Sequence, residues 1–429
     1  MKKHIRKSRR SLFSIKAWRL RIVFWSGAVA IGLLATFFAY SADWADHSFQ
    51  SFVKQYPWSP FIITPIGLIL IQWITRTFIP EAAGSGIPQT IAALNSRNKT
   101  ALLSLKIAFS KLVLTIMGLL SGASIGREGP TVHIGASIMY SIGCYARFPL
   151  HYYQHGLIVA GGAAGVAAAF NTPLAGIVFA LEEIARTMES KTNGIIISAV
   201  ILAGLTALSI QGNYTYFGQI DISIPTDFIS ASGGVLLCAI IGGLLGGLFS
   251  QSLISGSSWL KPYLTQHPTT VLIILGLFIA TVGSLSGHTT YGTGYESAYG
   301  IVTQSSEFDP LFPVYKLLAT LGSYFSGIPG GIFAPSLATG AGIGADIGHY
   351  IPIAPIAMMI LLGMVGYFSG VIQAPLTAMI IVLEMTASQQ MILPILICAY
   401  IAAGVSKVIC PNSLYQVLAL NFIDKPSKN

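Results

Sequence analysis

Three short motifs rich in glycine and proline each lead into an apolar stretch: GSGIP (84–88), GREGP (126–130) and GGIFAP (330–335). Glycine lets the backbone turn sharply and lets a ligand approach closely. The helix start that follows presents unpaired N–H groups and the positive end of the helix dipole. Several such starts converging on one point make an anion site out of partial charges. A full Lys or Arg would hold an anion more tightly but release it slowly, which defeats conduction. None of the three loops carries the GK[ST] ending of a phosphate-binding loop, so nucleotides are not the ligand. Taken singly, each motif reads better as a helix break at a packing contact; the three together, in duplicated halves, favour the anion reading.

Glu128, inside GREGP, is the anomaly. An ionisable residue in an apolar segment is costly and marks function by default. A carboxylate can occupy an anion site as a tethered competitor and leave when protonated, which couples proton binding to anion entry. The structural alternative is a salt bridge to the adjacent Arg127. Glu182 and Glu183 end one long apolar run and Glu384 ends another. Any one of them reads as a solvated helix-end acid, and one is a candidate proton relay from the cytoplasmic side. His133 lies five residues after Glu128 and reads as a packed helix histidine. His151 and His155 have metal-like spacing but sit between aromatics, as an interfacial belt does. The four cysteines are scattered in apolar stretches without CxxC spacing. No metal or other cofactor is expected, and no Ser–His–Asp or HExxH pattern supports enzymatic chemistry.

The elements that hold these residues belong to a membrane. Of 429 residues, 53% are hydrophobic and only 9% charged, where a soluble domain carries about 25%. The mean hydropathy is +0.70. That excludes a soluble enzyme and a nucleic-acid binder. The net charge of +9 is local: nine of the 24 basic residues lie in the first 21 positions, leaving fifteen bases against fifteen acids. Runs without Asp, Glu, Lys or Arg include 22–42, 148–181, 192–220, 228–260, 262–295, 317–345, 347–383 and 385–406. Several exceed the roughly 20 residues of one crossing and are interrupted by Gly and Pro. Without water to satisfy the backbone they must be helices, with any breaks buried in protein or lining a cavity. No sustained alternation suggests a β-barrel. The basic start followed by 22–42 reads as a signal anchor, and the positive-inside rule places residues 1–21 in the cytoplasm. The polar stretches 43–59, 212–227 and 303–313 read as loops.

The chain repeats itself. NTPLAGIVFALEEI (171–184) matches QAPLTAMIIVLEMT (373–386) at an offset of 202, pairing Pro173 with Pro375 and Glu182 with Glu384. GREGPTVHIGA (126–136) matches GIFAPSLATGA (331–341) at an offset of 205, and GSGIPQ at 84 matches GTGYES at 292 more weakly. Glu183 has no counterpart, which favours it as the specialised acid. The expected organisation is a basic tail (1–21), a first half (22–211), a connecting loop (212–227), a second half (228–415) and a short tail (416–429). Repeated halves with broken helices are a transporter signature, with the ligand at the repeat interface. The fold class is an all-α polytopic membrane protein; the relative orientation of the halves is not readable from sequence.

GSGIP, GREGP and GGIFAP in this order, with APLTAMIIVLEMT and the tyrosine of NSLYQVLAL, resemble the signature of the CLC chloride channel and proton-coupled chloride transporter family, over about residues 60 to 420. The resemblance implies an inverted repeat with half-helices. It implies a chloride site of the Ser85 and Tyr415 hydroxyls and the backbone N–H groups of Ile332 and Phe333. It further implies that Glu128 is the external gate and Glu183 the internal proton glutamate. Acids at both positions imply an H⁺/Cl⁻ exchanger, the alternative being a passive channel of the same fold gated by voltage or pH. Ser85 argues for chloride over nitrate; Tyr415 and Pro130 argue against the fluoride branch. The chain ends 14 residues after Tyr415, so a bacterial inner-membrane form without the cytoplasmic CBS domains of eukaryotic members is expected, as a homodimer with one pore per subunit. Its partners are then chloride, protons and the lipid bilayer, and no nucleic acid.

Overall fold

The computed structural model describes residues 15–146, 151–185, 193–212, 215–220, 222 and 228–423. The first half comprises α1 (Ile15–Gln55), α2 (Pro60–Phe78), α3 (Ile87–Asn95), α4 (Leu105–Leu120), α5 (Glu128–Tyr145), α6 (His151–Phe170), α7 (Pro173–Phe179), continued by a π-helical turn Ala180–Ala185, and α8 (Asn193–Gln211). A single turn, Lys99–Leu102, precedes α4. The second half comprises α9 (Phe228–Gln266), α10 (Pro268–Leu285), α11 (Tyr295–Val302), α12 (Phe312–Phe325), α13 (Phe333–Tyr350), α14 (Ile356–Ile372), α15 (Pro375–Thr386), α16 (Ile392–Ile409) and α17 (Leu414–Ala419). Thus α1 to α8 correspond in order to α9 to α16, and α17 follows as an addition.

Among the described residues, six helical stretches are long and apolar enough to cross a membrane, among them Arg21–Gln55, Pro60–Phe78 and Ser232–Gln266. Others are too short to span: α3 has nine residues, α11 eight and α17 six. The breaks recur at equivalent places. Gly86 (φ 101°) precedes α3 and Gly294 (φ 81°) precedes α11, each in a left-handed conformation that L side chains resist. Asn171 and Gln373, 202 apart, are both left-handed as well (φ 55° and 54°), and a proline then opens α7 and α15, where its missing N–H costs nothing.

The stretch 43–59 is not a loop. α1 runs on to Gln55, because no Gly or Pro occurs between Asp43 and Tyr56 and its polar residues find partners: Asp43 receives Arg127 and Asp46 receives Gln50. The helix is buried along Ala28, Ile31, Ala35, Phe38 and Ala42 and exposed along Leu33, Phe37, Tyr40 and Trp44. It is apolar on both sides, as expected where the outer face meets lipid.

α1 also serves as a ruler that establishes the inversion. Arg127, at the start of α5, meets Asp43, while Met139 and Ile142 near its end meet Gly27; α5 therefore runs back toward the start of α1. On the other half, His47 pairs with Glu296 at 3.9 Å and Phe49 packs on Tyr291, so α11 begins at the level where α1 ends. Gly342 of α13 packs on Phe312 and Pro313, at the start of α12, whose Lys316 binds the Thr290 and Gly292 carbonyls at that level. α13 thus runs the opposite way to α5, and the halves are inverted.

Two of the glutamates at run ends join the halves. Glu182 accepts from the N–H groups of Leu376 (3.1 Å) and Thr377 (2.7 Å) at the start of α15. Glu384 accepts from those of Leu174 (3.1 Å) and Ala175 (2.8 Å) at the start of α7. Each half thereby caps a helix of the other with a carboxylate, the favourable charge at that end. Loss of one such cap costs about 1–3 kcal/mol. Glu384→Ala is therefore expected to lower the thermal midpoint of the purified protein, with a smaller loss for Glu384→Gln, which keeps one acceptor; equal midpoints for all three proteins would contradict the role.

Candidate anion site

The three motifs, far apart in sequence, are tied together backbone to backbone. Gly126 and Gly331 exchange both N–H···O bonds at 2.7 Å. Gly84 donates to Ile328 O and accepts from Gly330 N–H, each at 3.3 Å. The Ser124 N–H donates to Ser323 Oγ at 2.8 Å. Loops at membrane depth have no water to bond, so they satisfy one another. The consequence is that α3, α5 and α13 all start at this point.

Around it stand the predicted residues. Ser85 is 1% exposed, and Glu128 and Tyr415 are fully buried. A Cβ on Gly129 would run into Ser85 Oγ, so the GSGIP serine lies directly against the GREGP helix start. The Tyr415 hydroxyl, from α17, is close enough to Ser85 for each to feel the other, but neither hydroxyl makes a hydrogen bond among the described residues, and neither does either carboxylate oxygen of Glu128. The Glu128 carboxylate faces the N–H of Ala334 in the first turn of α13, whose start is Ile332 and Phe333. The Phe333 ring is fixed by Phe368 at 5.0 Å, by Phe179 and Tyr415 at 5.9 Å and by Phe170 at 6.4 Å. The salt bridge considered between Glu128 and Arg127 is not the ion pair the structure holds: Arg127 Nη1 donates to Asp43 Oδ1 at 3.1 Å.

Glu183 lies apart from this point but on a path to it. It is fully buried, and its Oε1 accepts from Ser413 Oγ at 3.3 Å, while Gln416 Nε2 donates to its main-chain oxygen. Both partners belong to the segment that carries Tyr415, and Tyr415 lies within charge reach of Glu183 and Glu128 alike. His133 is buried, with its Nε2 on the Leu102 carbonyl at 2.8 Å, as a packed histidine should be. The side chain of His151 lies outside the described residues. No cluster of three or more His, Cys, Asp or Glu side chains forms among the described residues.

Sequence reading passed over Lys111 and Lys316. Both are fully buried and stand 205 residues apart, the offset of the second repeat. Lys111 Nζ donates to Gly84 O at 3.2 Å, beside Ser85. Lys316 Nζ donates to Thr290 O and Gly292 O at 2.9 and 3.0 Å. A lone lysine in a charge-poor run, recurring at the repeat offset, was the available signal. Lys111→Met keeps the stem but drops the donor that holds the GSGIP loop. Chloride affinity by isothermal titration is expected to fall about tenfold, the equivalent of roughly one strong hydrogen bond; an unchanged affinity in a folded variant would remove Lys111 from the site.

Broken helices of an inverted repeat, aiming their starts at buried hydroxyls and a carboxylate, define a polytopic membrane protein of the transporter class. Residues 66–407 match the family described as voltage gated chloride channel, and the chain belongs to that family. It is 29% identical over 425 residues to an H⁺/Cl⁻ exchange transporter ClcA of Vibrio cholerae, covering 91% of this chain and 86% of that one. It is 27% identical to a protein of the same name from Yersinia pseudotuberculosis, covering 92% and 86%. Among solved structures, a slow cyanobacterial Cl⁻/H⁺ antiporter shares the fold with a TM-score of 0.80 at 24% identity, covering 94% of this chain and 97% of that one. A CLC-type fluoride/proton antiporter shares it at 0.81 and 22%, covering 94% and 98%. The family read from the motifs is therefore the family of the chain.

Proposed function

We propose that this protein is an H⁺/Cl⁻ antiporter of a bacterial inner membrane, with its N-terminus in the cytoplasm, working as a homodimer with one pore per subunit. The observation that carries the reading is the convergence of the α3, α5 and α13 starts on the Ser85 and Tyr415 hydroxyls, with the unbonded Glu128 carboxylate at the same place. Chloride is bound there by N–H groups of Ile332 and Phe333 and by the two hydroxyls, all partial charges, so it is held without a fixed cation in the first contacts. Ionised Glu128 competes for the same donors; protonated, it yields the site to chloride. Glu183 passes protons from the cytoplasmic side toward Glu128. The proposed organisation is the basic segment 1–21, from Ile15 on already part of α1, the halves 22–211 and 228–415, the connection 212–227 and the segment 416–429, which begins inside α17. The names of the relatives support exchange over passive conduction.

Purified protein in liposomes under a chloride gradient, with no proton gradient imposed, tests this. Uphill proton movement dependent on chloride is the expected result. Chloride flux without proton movement would make the protein a passive channel, and a leak equal to that of empty liposomes would exclude transport altogether.

A further inference from the structure

A pocket with a buried cation lies beside Glu128, where α1 approaches the start of α5. Arg127 is nearly buried, its side chain 7% exposed, and its guanidinium donates to Asp43, whose side chain is 50% exposed. The pair lines a cavity of about 240 Å³ together with Tyr40, Gln211, Tyr216 and Tyr295. The site therefore combines a held, permanently charged cation with phenol and amide side chains, and one carboxylate that has access to water.

We propose that this pocket is an outer anion site and that Asp43 is its tethered competitor, lying on Arg127 where a halide would lie. The unequal exposure of the two partners decides which of them moves. Arg127 is packed by its surroundings and is the residue before Glu128 in the chain, so it stays. Asp43, half exposed, can turn its carboxylate into water, and because a buried guanidinium left without a counter-charge is costly, an anion from solution takes its place. Arg127 directly precedes Glu128 in the chain, so an anion on Arg127 waits beside the central site. The arrangement repeats at a shallower depth the logic proposed for Glu128: a carboxylate from the chain fills an anion position and must vacate it. Arg127 is outside the central contacts, so a fixed cation here gathers anions without slowing their release from the pore.

The inference rests on the reading of the chain as an anion transporter, and bromide separates the two. Crystals or vitrified particles of wild type, Asp43→Asn and Asp43→Ala are prepared in bromide, and anomalous difference density is collected from the crystals. Expected are bromide at Ser85 and Tyr415 in all three proteins and a second bromide at Arg127, stronger in both Asp43 variants. A tethered group acts at an effective concentration on the order of millimolar, so its removal should lower the half-saturating chloride concentration for uptake from this face about fivefold. The ratio of protons to chloride should stay at the wild-type value, since neither Glu128 nor Glu183 is touched. Bromide in the central site but none at Arg127 in either variant, or an unchanged half-saturation, overturns the outer site alone. Bromide in neither place overturns the transport reading itself. Should Asp43→Asn retain a hydrogen bond to Arg127 and show no change, Asp43→Ala, which has no acceptor, gives the decision.

Discussion

Glu128→Ala is expected to abolish proton movement completely while chloride continues to pass, at a rate that no longer depends on pH. The argument starts from cost. A buried carboxylate without partners is expensive in a low-dielectric interior, and both oxygens of Glu128 lack a hydrogen bond among the described residues. What makes the position tolerable is the helix geometry: the charge sits in the first turn of α5 and faces the Ala334 N–H of α13, where two positive helix ends meet. In the proposed mechanism those same ends bind the anion, so carboxylate and chloride exclude each other. The sign of the pH effect follows. At high pH the charged carboxylate holds the site and slows chloride; as pH falls it is neutralised, withdraws, and flux rises. Alanine removes both the competitor and the proton carrier, so chloride electrode traces should be flat with pH and pH electrode traces should match empty liposomes. Glu128→Gln, neutral at every pH, should share the loss of coupling. Uphill proton movement surviving in Glu128→Ala would show that another group is the gate.

Much of this architecture is legible in the sequence, for identifiable reasons. The membrane setting follows from charge depletion, and the repeat follows from short identities at constant offsets, because an inverted repeat must place equivalent breaks at equivalent depths. The structure adds Asn171 and Gln373, left-handed at matching positions, which no identity reveals, since Asn and Gln share only a tolerance of that conformation. The candidate site motifs are readable because half-helix starts need Gly and Pro, which stand out from an apolar background. The inversion was not readable: side-chain patterns carry no sign for helix direction, and it took the contacts of α1 with Arg127 and with Glu296 to establish it. The 43–59 error has the same origin. Polarity normally marks a loop, but Asp43 is polar for the sake of Arg127, a partner that only the fold supplies, and Asp46 faces Gln50 one turn on along the same helix. Lys111 and Lys316 escaped for a related reason. Their role is to bind carbonyls of the glycine loops, and a main-chain acceptor leaves no signature in sequence.

The second large effect is expected at Glu183, and the reason lies in the residue beside it. Glu182 and Glu183 are consecutive, yet they face different partners: Glu182 reaches α15, while Glu183 turns inward to Ser413. The π-helical turn Ala180–Ala185 that holds them is wider than an α-turn and re-aims side chains, a feature that recurs at functional sites. In the other half Glu384 repeats the capping role of Glu182, but the position matching Glu183 is Met385, fully buried. The shared acid fastens the halves, and the unshared one is the acid to which the proposed mechanism gives the proton. Glu183→Gln keeps the volume and an acceptor for Ser413, so the fold should persist and the Ser85 and Tyr415 hydroxyls should stay in place. Chloride flux is then expected to remain near wild type while proton movement falls to the level of empty liposomes. In the proposed mechanism both acids serve one proton route, so the double variant Glu128→Ala/Glu183→Gln should lose no more coupling than either change alone. Proton pumping that persists in Glu183→Gln would require entry by a path that avoids the α17 segment, and the specialisation inferred from Met385 would then have no functional meaning.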